Sequence, residues 1–208
     1  FTSYDNPYLD PEEIEKAKAR LSKEEFEQEY MASFQKTAGL VYKEFNRQQH
    51  LYDNLPNGNY EKIAGIDPGY VHNAAVLTIY TNGELWFVDD EWVKKGKTDA
   101  QIADYVTGCE FEALYPDPEN QGFIKELLDR NQNVREVIKG KNSVVSGIQK
   151  VRELLLTNRL KVNRKCLNPI AGFEMYSYED DSDKENPIKE NDDEMDALRY
   201  PVLMREVK

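Results

Sequence analysis

The sequence predicts an α/β fold in which helices flank a mixed sheet of five or more strands. Three short apolar segments follow one another between residues 62 and 89, strand-like and helix-like patterns alternate from residue 98 onward, and a helical pattern returns after residue 190. Strands joined by hairpins pair antiparallel, whereas strands joined through a helix pair parallel. We therefore expect antiparallel pairing on one side of the sheet and parallel pairing on the other.

Residues 1–50 are predicted to form a helical linker that precedes a domain spanning residues 51–208. Asp10-Pro11 begins one helix, because an acidic cap followed by proline in the first turn is a typical helix start. Ser22-Lys23-Glu24-Glu25 resembles a capping box and begins a second helix. Gly39 ends the helical pattern.

The strands are predicted from apolar runs bounded by turn residues. The second run is apolar on both faces, which is typical of a central strand. The Asn82-Gly83 step after it is a hairpin signal. The predicted strands are Lys62–Ile66, Ala74–Tyr80, Glu84–Asp89, Phe111–Tyr115 and Val134–Val137.

Helical periodicity predicts the remaining elements of the domain. Helices are expected over residues 98–107 and 120–131, from Ser143 onward, and from about Asn191 to the end of the sequence. Residues 177–194 are rich in acids and are predicted to include a loop before the last helix.

The charge distribution bears on the class of partner. The formal net charge of -12 argues against a nucleic-acid partner, because phosphates repel acidic proteins. Between Arg135 and Lys165, however, nine basic residues face only two acids. This segment is either a nucleic-acid contact or a solvated helix face. Cys109 and Cys166 are expected to be free thiols, and no apolar run reaches the roughly 18 residues of a membrane span.

Four aspartates are candidates for a shared site. Asp67 follows the first predicted strand and Asp117 follows the fourth, and sites in open sheets gather beyond the carboxyl ends of strands. If the two strands are neighbours, these carboxylates converge. Both residues also fit ordinary turns. Asp193 and Asp196 share one helix face; stabilisation of the helix dipole explains Asp193 better than Asp196, which lies further into the helix.

A cluster of carboxylates predicts a divalent metal. Like charges raise one another's pKa and cost folding free energy, and a metal ion removes that repulsion. Mg²⁺ favours carboxylates together with phosphate oxygens, and two ions about 4 Å apart can promote displacement at phosphorus. With only two histidines, the chain cannot easily build a zinc site. Gly96-Lys97-Thr98 looks like the end of a P-loop, but Glu91 stands where that motif requires glycine.

Several motifs then carry a resemblance to a known family. Gly65–Gly69 and Tyr115–Asn120 look like its two acidic motifs, Lys139–Ser143 like its basic loop, and Asp5–Leu9 like the segment between its two domains. Asn191–Tyr200 looks like the terminal motif of the same family, and its final block, Asp-Ala-Leu-Arg-Tyr, is nearly diagnostic of that motif. Together they resemble the nuclease domain of the large terminase subunit of tailed bacteriophages, over nearly the whole chain.

The resemblance implies an RNase H-like fold and a Mg²⁺- or Mn²⁺-dependent endonuclease that uses two ions to cut concatemeric viral DNA during genome packaging. Asp67, Asp117 and Asp196 would be the catalytic metal ligands. Asp193 would be a further ligand, in the place where many members have histidine. Lys139 and Lys141 would contact phosphates with little sequence preference, although a merely solubilising loop is the alternative.

The resemblance also implies partners. They are double-stranded DNA, the portal, the small terminase subunit and a covalently linked ATPase domain, all in the host cytoplasm and without a membrane. No ATPase motif occurs in these 208 residues, so we expect no DNA translocation by this chain alone. The alternatives are an RNase H-like resolvase or transposase core and a non-catalytic docking domain of the packaging motor. The Asp-Ala-Leu-Arg-Tyr block favours the terminase.

Overall fold

The computed structural model describes residues 39–178, 187–188 and 192–205 of the chain. The described strands are β1 (Leu51–Tyr52), β2 (Glu61–Asp67), β3 (Asn73–Thr81), β4 (Trp86–Lys95), β5 (Ala113–Pro116) and β6 (Leu160–Asn163). The described helices are α1 (Arg47–His50), α2 (Asp99–Gly108), α3 (Gln121–Asp129), α4 (Ser143–Leu156), α5 (Leu167–Met175) and α6 (Asp193–Met204).

The strands form one mixed sheet in the order β1-β6-β4-β3-β2-β5. Consecutive hairpins make β2, β3 and β4 antiparallel. On one side of them β5 pairs parallel to β2, and on the other side β6 pairs parallel to β4 and β1 to β6. The predicted mixed sheet is confirmed, but parallel pairs lie on both sides of the antiparallel centre, because β6 and β1 extend the sheet beyond β4.

The prediction of a strand at Val134–Val137 is wrong. Val134 makes only an isolated parallel bridge to Leu114, with the Leu114 N–H bonded to Asn133 O and the Arg135 N–H bonded to Leu114 O. The next bond of a parallel ladder would need an N–H at residue 116. Pro116 has none, so the pairing stops after one step.

The short elements α1 and β1 escape the sequence patterns, and so do β6 and α5. β6 is only four residues long and alternates with polar residues, and α5 carries Pro169 and Gly172, two poor helix formers. Both are nevertheless well packed, with Ile170 and Phe173 in the core. Tertiary packing therefore decides these elements and local preference does not.

Helices cover both faces of the sheet. Alternate residues of β2 point to opposite faces: Ile63 joins a core formed with α4, α5 and α6, and Ala64 and Ile66 join a core formed with α2 and α3. α2 begins at a capping box between Thr98 and Gln101. The result is a three-layer α/β arrangement with a buried central sheet.

Part of the predicted linker packs with this domain. Val41 and Tyr42 are 0% and 1% exposed and belong to the same core as α4, α5 and α6. These two residues therefore pack with the domain, and the boundary at residue 51 stays a prediction. The helices expected before residue 39 and most of the loop expected within residues 177–194 lie outside the described residues. None of the helices in the described ranges is long and apolar enough to cross a membrane.

Candidate metal centre

Asp67 and Asp117 lie side by side at the carboxyl ends of two paired strands. β2 and β5 are parallel neighbours, with Ile66 opposite Pro116, so the two aspartates are the next residues along each strand. The Asp117 N–H donates to Ile66 O at 2.9 Å, which continues the pairing up to the carboxylates. The expectation that these strands are neighbours is confirmed.

α6 brings Asp196 to the same edge of the sheet. The helix lies so close to β2 that a Cβ at Gly65 would stand 1.8 Å from the Ala197 carbonyl oxygen. Pro201 is four residues later and has no N–H to donate to that carbonyl, so the carbonyl is left facing the strand. Only glycine at residue 65 permits this approach, and the approach sets Asp196 close to the end of β2.

Asp67 is the most perturbed carboxyl of the group. Burial raises its pKa to about 9, and the charges of Asp196, Asp117 and Asp193 add to the effect. No hydrogen bond joins the Asp67 carboxyl group to another residue of the described ranges. Burial first, and the neighbouring carboxylates second, favour the protonated form of this group, and a nearby cation would favour the ionised form.

Asp117 is held by three donors. The Lys139 ammonium lies 2.8 Å from Asp117 Oδ1, the Tyr200 hydroxyl donates to Oδ2 at 2.7 Å, and the Glu119 N–H donates to Oδ1 at 2.8 Å. Burial by itself would raise the pKa of Asp117, but these three hydrogen bonds and the Lys139 charge outweigh burial and lower that pKa. Asp117 is therefore an ionised carboxylate of fixed orientation.

Asp196 is paired with Arg199 one turn later on α6. Asp196 Oδ1 is buried and accepts no hydrogen bond of normal geometry, although the Arg199 guanidinium touches it. Burial raises the pKa of Asp196, and the Arg199 charge opposes that rise. Arg199 is itself buried and donates to the Tyr176 hydroxyl at 3.3 Å, which fixes its position beneath the site.

The remaining two predicted residues lie at the edge. Asp193 faces His72 on the β2–β3 loop and Asn73 at the start of β3, and burial together with Asp192 raises its pKa. Asp193 affects Asp67 only through its charge, and its effect on the pKa of Asp67 is smaller than those of Asp196 and Asp117. Lys141 is exposed on the loop before α4. The structure thus brings together Asp67, Asp117, Asp196 and Lys139, and leaves Asp193 and Lys141 further out.

A cavity of about 510 Å³ opens beside these residues. Asp117, Lys139, Asp196 and Tyr200 line it, together with the beginning of α4. Oxygen ligands of this kind suit a hard divalent cation, and the Asp67 carboxyl group and Asp196 Oδ1 lack hydrogen-bond donors, so the chemistry of the residues fits. As arranged, however, no group of three or more His, Cys, Asp or Glu side chains among the described residues could already hold a metal ion.

Sequence reasoning assigned no role to Tyr200, Arg199 or Glu119. Tyr200 and Arg199 belong to the Asp-Ala-Leu-Arg-Tyr block and follow Asp196 by four and three residues, so helical spacing places them on its face of α6. That spacing was available in the sequence. The contact of Glu119 with Lys139, at 3.3 Å, depends on the fold and carries no local signal.

Comparison with known proteins finds relatives in sequence among large terminase subunits. No protein-family model matches the chain. The large terminase subunit of Escherichia phage T5 is 28% identical over 220 aligned positions, which cover 97% of this chain and 50% of that protein. The large terminase subunit of Salmonella phage P22 is 42% identical over 66 residues, 32% of this chain and 13% of that protein. The chain spans about half the length of the T5 relative.

Solved nuclease domains share its fold. The nuclease domain of the P22 large terminase matches 81% of this chain and 93% of its own with a TM-score of 0.68 and 21% identity. The nuclease domain of the bacteriophage SPP1 large terminase, solved with bound Mn, matches 72% of this chain and 92% of its own with a TM-score of 0.59 and 19% identity. The nuclease domain of the phage G20c large terminase, solved with bound magnesium, matches 81% of this chain and 98% of its own with a TM-score of 0.65 and 12% identity. The predicted α/β fold with a mixed sheet is confirmed as the fold of solved large terminase nuclease domains, and the resemblance to large terminase subunits is confirmed.

Proposed function

We propose that this chain is the nuclease domain of a large terminase subunit: a metal-dependent endonuclease that cuts concatemeric viral DNA during genome packaging. The observation that carries the proposal is the placement of Asp67, Asp117 and Asp196, from β2, the end of β5 and α6, at one edge of the sheet, where the charges of Asp196 and Asp117 act on Asp67. The same fold occurs in nuclease domains that were solved with Mn or magnesium.

Asp67, Asp117 and Asp196 are the proposed ligands of two Mg²⁺ or Mn²⁺ ions, with Asp193 as a further candidate. Two such ions supply an activated water and stabilise the leaving oxygen of a phosphodiester. The side chains around them do the positioning. Tyr200 orients Asp117 and Arg199 orients Asp196.

The DNA would lie along the cavity between α6 and the beginning of α4. Lys139 and Lys141 on the loop before α4 are the proposed phosphate contacts. Asn142 caps α4 without a side-chain hydrogen bond. The Ser143 N–H donates to Gly140 O at 3.1 Å, so the N–H groups of Val144 and Val145 are the ones in the first turn that remain for the same phosphates. Contacts of this kind position a duplex without reading its bases.

The proposed setting is the packaging motor in the host cytoplasm. The portal, the small terminase subunit and an ATPase domain linked to this chain are the proposed partners. The similarity to large terminase subunits over 97% of the chain supports this setting.

The test is nicking of a supercoiled plasmid in Mn²⁺ by the wild-type chain and by Asp67→Ala. We expect the variant to lose at least about 100-fold in rate, since even residues that only orient metal ligands cost 10- to 100-fold. The matched control is Asp129→Ala, which removes an exposed carboxylate of α3 that pairs with Lys125. A docking domain without catalysis would give equal rates for all three proteins. Faster cutting of four-way junctions than of linear duplex would favour a resolvase instead.

A further inference from the structure

We propose that Lys139 is an internal cation that occupies both oxygens of the Asp117 carboxylate and competes with a divalent ion for them. This inference rests on the proposed function and concerns how the same site is loaded. While the Lys139 ammonium group stays on Asp117, a divalent ion cannot bind that carboxylate.

The geometry around Lys139 is that of a cation site. Its Nζ lies 2.8 Å from Asp117 Oδ1, 2.9 Å from Oδ2 and 3.3 Å from Glu119 Oε1, so it bridges both oxygens of one carboxylate and one of another. It also lies 5.3 Å from the centre of the Tyr200 ring, whose face attracts cations. The Lys139 side chain is only 26% exposed, unlike most lysines.

The balance of charge explains why a lysine stands there. Three carboxyl groups meet at this edge of the sheet, and two basic side chains lie against them, Lys139 on Asp117 and Arg199 on Asp196. Arg199 is enclosed in the core and cannot leave its partner. Lys139 comes from a loop next to Gly140, around which a side chain would meet no atom within 4 Å, so this cation alone of the two has room to move.

An ammonium group and a divalent ion cannot share Asp117 at close range. Both would lie within a few ångströms of the same oxygens, where the repulsion between them is strong because the site is partly desolvated. A lysine that only helped to orient Asp117 would make metal binding stronger, whereas a competing lysine makes it weaker.

The experiment measures Mn²⁺ binding by the full 208-residue chain without DNA, by calorimetry at fixed pH. The variants are Lys139→Met, Lys139→Gln, Asp67→Asn and the matched control Lys125→Met. The control removes the lysine of another Lys–Asp ion pair, on the surface of α3. Thermal unfolding establishes that each variant is folded, and the glutamine variant serves if the methionine variant is not.

We expect the Lys139 variant to bind Mn²⁺ at least about tenfold more tightly than wild type, because removing a unit charge at this distance removes a large repulsion. The Lys125 control should bind within twofold of wild type, a difference of no consequence on this scale. Asp67→Asn should lose the binding.

The outcomes separate the two proposals. If Asp67→Asn loses Mn²⁺ binding while the Lys139 variant binds no more tightly than wild type, the competition is refuted and the proposed nuclease site stands. If wild type does not bind Mn²⁺, or Asp67→Asn binds as well as wild type, the metal site itself is refuted and the competition falls with it.

Discussion

Gly65 decides whether α6 can reach the sheet, although it carries no functional group. The sequence shows it as part of an acidic motif, between Ala64 and Ile66 in a strand. Its purpose emerges only from the packing, because the Ala197 carbonyl lies where a side chain would be. The aspartates could be chosen from the sequence, since each follows a strand or lies on a helix face, but the glycine that lets them meet could not.

Replacing Gly65 by alanine should therefore damage both the fold and the site. The added methyl group would overlap the Ala197 carbonyl, so α6 must shift; overpacking of this kind costs about 1–3 kcal/mol in free energy of unfolding. The shift also moves Asp196 away from Asp67, so Mn²⁺ affinity should fall. Urea unfolding and calorimetric titration measure the two effects.

Gly108→Ala is the matched control for this substitution. Gly108 is the last residue of α2, and a Cβ there would meet nothing within 4 Å. Alanine is a better helix former than glycine, so this control should be neutral or slightly more stable. Equal stability of the two variants would show that α6 does not depend on Gly65.

At the scale of elements, the sequence predicts long periodic segments well and short ones poorly. α2, α3 and α4 were expected within a few residues of their bounds, because capping residues and apolar periodicity act locally. Pro116 prevents the predicted fifth strand from pairing further, because proline has no N–H to donate. This effect could be predicted only if β5 were already known to lie beside that segment. β6 could not be found, because its four residues become a strand only by pairing with β4.

The joint between α1 and α4 should make stability depend on pH. His50 is buried, accepts a hydrogen bond from the Asn46 N–H at Nδ1 and contacts Leu155 O through Nε2 at 3.1 Å. This pairing requires a neutral ring with its hydrogen on Nε2. Burial lowers the pKa of His50, and the nearby Lys161 charge lowers it further.

The lowered pKa of His50 fixes how stability changes with pH. The unfolded chain binds a proton at His50 near pH 6.5, whereas the folded chain binds it only at lower pH. The free energy of unfolding therefore decreases as pH falls through this window. As pH falls from 7.5 to 5.5, the free energy of unfolding should decrease more steeply for wild type than for His50→Gln. We expect the two slopes to differ by up to about 1.4 kcal/mol per pH unit. Urea unfolding at several pH values measures the difference. His72→Gln, at an exposed histidine, is the control; if His50→Gln and wild type have parallel profiles, the ring is not buried neutral.

At the scale of the whole molecule, the division of the chain into linker and domain was the hardest feature to predict. Leu40, Val41 and Tyr42 form an apolar run of only three residues, which is too short to distinguish a domain from a linker. The burial of Val41 and Tyr42 depends on α5 and α6, which lie more than 120 residues later in the sequence. The Arg152–Glu44 and Arg47–Glu174 ion pairs join the same segment to the domain.

Tyr42 gives the test of where the nuclease domain begins. Its ring packs edge-on against Phe173 at 5.2 Å and stacks on Tyr176 at 6.1 Å, and Tyr176 in turn accepts the hydrogen bond of Arg199 beneath Asp196. If residues 39–50 are part of the domain, Tyr42→Ala should cost about 3–5 kcal/mol in free energy of unfolding, as other large aromatic truncations in cores do.

The same substitution at Tyr70, which is 66% exposed, is the control and should change stability by no more than about 0.5 kcal/mol. Denaturant unfolding of the two variants compares them directly. Equal small effects would mean that residues 39–50 are a detachable linker, and the boundary at residue 51 would then stand. A large effect of Tyr42→Ala alone, with weaker Mn²⁺ binding, would mean that the segment before the first strand supports the metal centre through Tyr176 and Arg199.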